Sequence, residues 1–130
     1  MSMPIKEDGG DTVSEIRRMI DIQQGMEYAL GNIDFFRETL EIYLEETSKN
    51  LSLMDRYLKE KDLRNYAILV HSMKSSSRLV GAVFVTEFMV KMEEKCMECD
   101  LSYVNDNHPE MITLLLSTHK AIHEYLGQQC

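Results

Sequence analysis

Phe36-Arg37-Glu38-Thr39-Leu40-Glu41-Ile42-Tyr43-Leu44-Glu45-Glu46-Thr47 is the stretch that decides the fold. Phe36, Leu40, Tyr43, Leu44 and Thr47 recur three or four residues apart, and the same stripe continues through Leu51, Met54 and Leu58. That is the helical period. Glu38, Glu41, Glu45, Glu46, Lys49, Arg56, Lys59 and Glu60 fill the other positions. The spacing predicts one long helix with a single buried stripe, which must find partners to cover it.

The partners lie on both sides. Before it, Gly31-Asn32 is a helix stop, and a helical stretch from about Thr12 to Leu30 is expected, with a break near Asp21 or Gly25. Residues 1–11 are polar, contain Gly9-Gly10, and read as a flexible tail. After it, Lys59-Glu60-Lys61 makes a turn, and Asp62 can cap a new helix by accepting free N–H groups of its first turn. Leu63, Tyr66, Ala67, Val70, Met73, Ser77 and Val80 then keep a helical period as far as Gly81. A fourth helix carries Val85, Phe88, Met89, Met92 and Cys96. A loop is expected around Asp106-Asn107-His108-Pro109, then a helix bearing Met111, Ile112, Leu115, Thr118, Ile122 and Leu126 and ending at Gly127. No strand-like alternation competes. The expectation is all-α: an antiparallel four-helix bundle with a short N-terminal helix at one end, occupying residues 12–130 as one domain.

Composition agrees. The chain has 130 residues, 44% of them apolar, enough for one core without disulfides. Ten Met and no Trp point to a core of flexible aliphatic chains. The net charge of −8 argues against nucleic acid and anionic membrane surfaces as partners. No apolar run approaches the ~18 residues of a membrane span, and the first residues lack a signal-peptide core. Three Cys form no secreted disulfide framework, so a reducing, cytoplasmic setting is expected.

One residue has no structural reason to be where it is. On a helical wheel the third helix buries Tyr66, Val70, Met73 and Ser77, and His71 falls roughly 140° from the centre of that stripe. Arg64, Ile68, Ser75 and Arg78 share its outer face, and Lys74 lies at the edge, one turn away. An exposed imidazole is a good nucleophile when uncharged. The cations would offset charge on a bound phosphoryl group, small side chains leave room for a partner, and Ile68 offers an apolar contact. A lone surface histidine is usually only that; the Lys at i+3, the small residue at i+4 and Gly81 raise this one above that reading.

The run His71-Ser72-Met73-Lys74-Ser75-Ser76-Ser77, followed by Gly81-Ala82, resembles the signature of histidine-containing phosphotransfer (HPt) domains, the intermediates of multistep two-component phosphorelays. The flanks are similar too: Asp21 through Asn32, Phe36 through Glu46, Asp62 through Val70 and Phe88 through Glu94. The resemblance covers roughly residues 20–127 and implies the same four-helix bundle. By position it implies that His71 is the phosphoacceptor through its outer ring nitrogen, that Lys74 neutralises the phosphoryl charge, and that Gly81 lets neighbouring helices pack closely. Arg64, Ile68, Ser75 and Arg78 would form the docking face. The implied partners are receiver domains of response regulators, with or without a hybrid sensor histidine kinase. The implied cofactor set is empty, Mg²⁺ being expected on the receiver. Ser75 departs from the family's usual glycine, which bears on transfer rate and partner fit.

Other readings compete. A non-catalytic interaction module would bind a receiver-like partner without transfer, but binding alone does not call for a cation beside a nucleophile. An autonomous kinase needs a nucleotide site, and Gly9-Gly10 has neither the spacing nor the context of a phosphate loop. Cys96-Met97-Glu98-Cys99 with His119 and His123 imitates zinc-ligand spacing, yet residues 100–118 are too long a connection and the Cys pair lies at a helix end. Cys96 reads as core, Cys99 as a partly exposed thiol, His119 and His123 as surface or half-buried, and the acidic residues from Glu93 to Glu98 as a solvated face.

Overall fold

The computed structural model of the chain describes residues 16–128. The expected tail, residues 1–11, lies outside them. Residues 16–19 are helical, and five further helices follow: α1 (Ile22–Tyr28), α2 (Ile33–Lys59), α3 (Leu63–Val80), α4 (Val83–Met97) and α5 (Leu101–Gln128).

Side-chain caps and left-handed turns mark most of the helix ends. Asp21, Asn32 and Asp62 cap α1, α2 and α3, accepting from the backbone N–H groups of Gln24, Phe35 and Asn65 at 3.0, 3.0 and 3.1 Å. Asp100 does the same ahead of α5, from Tyr103 N–H at 3.0 Å. Helices α2, α3 and α4 all end in one motif. Lys61, Gly81 and Cys99 take left-handed backbone angles, φ 57°, 78° and 59°. The next residue's N–H then donates to the carbonyl five back: Asp62 to Tyr57, Ala82 to Ser77 and Asp100 to Lys95, at 2.8–2.9 Å. Two of these left-handed residues carry a side chain, which costs roughly 1–2 kcal/mol each. The motif turns the chain so tightly that successive helices run antiparallel.

Consecutive helices pack together, and α2 closes the bundle against α5. The core holds Leu40, Met54, Tyr66, Val70, Met73, Met89, Met92, Met111, Leu115 and Ile122, all essentially without exposure. Helix α1 closes one end. Asp21 N–H donates to Gly81 O at 2.7 Å, and the Gln24 side-chain amide donates to Arg78 O at 2.9 Å, satisfying carbonyls at the end of α3. A Cβ on Gly81 would run into the Asp21 backbone, so glycine is required there for its angle and for this approach. The break expected near Asp21 or Gly25 falls at Asp21.

Two expectations are corrected. Residues 106–109 are not a loop: α5 runs through them, with Pro109 inside. Val104, His108, Met111, Leu115 and Ile122 form one unbroken buried stripe, which carries the helix past the proline. Asn105, whose carbonyl loses its N–H donor to the proline, is exposed to water. Nor does Gly127 end the helix, which includes it.

A polar seam threads the core. The Tyr43 hydroxyl lies 2.8 Å from Ser77 Oγ. Thr47 donates its hydroxyl to Tyr43 O at 2.6 Å, so it accepts from His119 Nε2–H at 2.7 Å. Tyr66 Oη lies 2.8 Å from His108 Nδ1. His108 and His119 are buried, contrary to the reading of His108 as a loop residue and of His119 as surface or half-buried. Each finds its partner across the bundle, on α3 for His108 and on α2 for His119.

Candidate functional site

Helix α3 turns Tyr66, Val70, Met73, Ser77 and Val80 into the core. That fixes the opposite side as surface, and His71 stands there with 64% of its side chain exposed. Arg64, Ser75 and Arg78 are exposed as well, and Ile68 is 58% exposed. The outer face inferred from the wheel is therefore a continuous strip of α3. Ser76 turns its hydroxyl back to Ser72 O at 3.2 Å and Ser77 is committed to Tyr43, while Ser75 stays on the open face one turn from His71.

Helix α4 supplies the residue that sequence reasoning missed. Glu93 Oε2 lies 2.6 Å from His71 Nδ1, and Glu93 Oε1 lies 2.5 Å from Lys74 Nζ. One carboxylate thus holds both His71 and Lys74 of α3. Glu93 is only 19% exposed and Lys74 21%, so the pair is partly withdrawn from water and less screened than a surface ion pair. The Lys74 hydrogen bond, with a smaller contribution from His71, holds the Glu93 carboxyl below the usual carboxylate range, although burial pulls the other way. Glu93 accepts from both partners, while His71 Nε2 has no hydrogen bond among the described residues.

This corrects the reading of Glu93 as part of a solvated acidic face. Glu94 and Glu98 are exposed, but Glu93 sits at the edge of the buried stripe, between Met89 and Cys96 and next to Met92. An acidic residue at the margin of an apolar stripe is where a neighbouring helix would meet it, and that was the available signal. Cys96 is buried and Cys99 exposed. Burial pushes the Cys96 thiol up to about 11, which keeps it protonated and unreactive. Among the described residues no group of three or more His, Cys, Asp or Glu side chains is placed to hold a metal ion.

The arrangement is a solvent-facing imidazole, anchored by one nitrogen and free at the other, with an ammonium beside it. The family model of the Hpt domain matches residues 38–126, which include His71, Lys74 and Glu93. The chain belongs to the Hpt domain family. Hpt domains are phosphotransfer carriers of two-component signalling rather than autonomous kinases, and their partners are receiver domains. The match begins in the second turn of α2, so the flank formed by residues 21–32, which includes α1, lies outside it. No curated protein and no solved structure matches the chain. Among the described residues of this Hpt domain, no helix is long and apolar enough to cross a membrane.

Proposed function

We propose that this Hpt domain is a phosphorelay intermediate in which Nε2 of His71 accepts a phosphoryl group from the phospho-aspartate of a receiver domain, then passes it to another receiver or returns it. In the forward step the Nε2 lone pair forms the N–P bond. The P–O bond to the aspartyl oxygen breaks, and the receiver's carboxylate leaves with the electron pair. Little covalent work falls to the protein; the step is in-line positioning and charge stabilisation. Lys74 would answer the phosphoryl charge from one turn away. Arg64, Ile68, Ser75 and Arg78 would meet the receiver, the arginines complementing its acidic pocket, which would also hold the Mg²⁺. Ser75 narrows the approach only by a hydroxymethyl group.

The observation that carries this reading is the exposure of His71 with Nδ1 engaged and Nε2 open, inside a matched Hpt domain. The test is incubation with a phosphorylated receiver domain and Mg²⁺. The wild-type protein should gain acid-labile, base-stable label, and His71→Gln should gain none. Binding to receivers without label would make the chain an interaction module instead.

A further inference from the structure

The three serines that follow Lys74 are committed differently. Ser76 donates to Ser72 O at 3.2 Å, and the Ser77 hydroxyl lies 2.8 Å from that of Tyr43 in the core. Ser75 is exposed on the outer face of α3, and its hydroxyl has no hydrogen-bond partner among the described residues. Ser72, next to His71, turns toward α2 instead, where it lines a groove with Glu46, Lys49 and Asn50. At about 100° per residue, Ser75 stands about 40° round α3 from His71, and Lys74 about 60° round on the other side. Residues one turn apart have Cβ atoms about 5–6 Å from each other, and helical side chains tilt toward the N-terminus, so Lys74 and Ser75 both lean toward the turn that bears the imidazole. With Nδ1 turned to Glu93 on α4, Nε2 is the nitrogen left on the open side.

We propose that Ser75 is a phosphoryl-binding residue: its hydroxyl donates to an oxygen of the phosphoryl group carried on His71 Nε2, from the side opposite Lys74. The proposal rests on His71 being the phosphoacceptor. A phosphoryl group offers three acceptor oxygens, and the Lys74 ammonium already gives one of its hydrogens to Glu93, so a second donor has work to do. The Ser75 hydroxyl has no internal bond to give up. Glycine, the family's usual residue here, has no such donor. The new bond exists only while the group is on His71. It therefore stabilises the loaded domain against the unloaded one and moves the transfer equilibrium with a receiver toward the domain. A docking contact acts otherwise: it changes the forward and return rates alike and leaves the equilibrium between the separated proteins where it was.

The experiment measures how the phosphoryl group divides at equilibrium between the full chain and a receiver domain, starting from the phosphorylated receiver with Mg²⁺. It compares wild type, Ser75→Ala and Ser75→Thr, with circular dichroism to check that each is folded. Ser75→Ala should lower the equilibrium constant for loading the domain by about tenfold, the worth of one hydrogen bond to a charged group. Ser75→Thr keeps the hydroxyl and should restore most of that loss. A Ser75→Ala protein with the wild-type equilibrium, whatever its rates, overturns the proposal. So does a Ser75→Thr protein that shifts as far as Ser75→Ala, since the hydroxyl is then not responsible. A wild-type protein that takes up no phosphoryl group overturns the acceptor reading, and with it the part of Ser75.

Discussion

The ammonium of Lys74 lies 2.5 Å from Oε1 of Glu93, so the cation one turn from His71 is already paired. With Nδ1 of the same histidine on Oε2, the site carries a held charge rather than a loose one. An arriving phosphoryl group would share Lys74 with Glu93 instead of recruiting a mobile side chain from solvent. Little ordering is then left to do during transfer.

Lys74→Ala should slow phosphoryl uptake by about tenfold, the worth of one charge-assisted hydrogen bond. Lys74→Arg should lose less, since it keeps the charge. The check is single-turnover transfer from a phosphorylated receiver. Equal rates for all three proteins would take Lys74 out of the mechanism.

Gly81→Ala should destabilise the fold by about 2 kcal/mol or more, from the left-handed angle and from pushing Asp21 off the end of α3. Urea denaturation measures this. The loss should be accompanied by faster hydrogen exchange at Asp21 N–H, which donates to Gly81 O. A change under about 0.5 kcal/mol, the size of an ordinary surface substitution, would mean that α1 is not seated as described.

Stability should fall in mild acid. Burial lowers the pKa of His108 and of His119, the latter helped by His123 nearby. Both histidines titrate near 6.5 when unfolded, so below that pH the unfolded chain binds protons that the folded chain resists. Their contribution is complete above about pH 6.5 and drains away as the pH drops through the lowered folded values. His108 Nε2 lies 3.6 Å from Asp55 Oδ1, too far for a hydrogen bond but near enough to moderate the loss once that ring is charged. Urea midpoints should therefore decline from pH 7.5 to pH 5.5, and His119→Gln should flatten the slope. A pH-independent midpoint would show that neither ring is buried neutral.

Much of this was legible because it is local. Asp62 four residues ahead of Tyr66, the Phe36-to-Leu58 stripe, and the position of His71 opposite Val70 and Met73 follow from helical periodicity and capping alone. Helix α5 was misread because Pro109 and three polar neighbours look like a loop, and only the tertiary partner Tyr66 turns His108 into a core residue. Glu93 was misread for a related reason. Twenty-two residues separate it from His71, and the contact exists only once α3 and α4 pack side by side. Periodicity identifies which face a residue occupies, but not which side chain of another helix it will meet.

The measurement that reaches the central claim most directly is ³¹P–¹⁵N NMR on the uniformly ¹⁵N-labelled protein after transfer from a phosphorylated receiver. Phosphorus coupled to Nε2 of His71, with Nδ1 still protonated, is the expected result. Coupling to Nδ1, or a phosphoryl group on another residue such as the exposed His123, would contradict it.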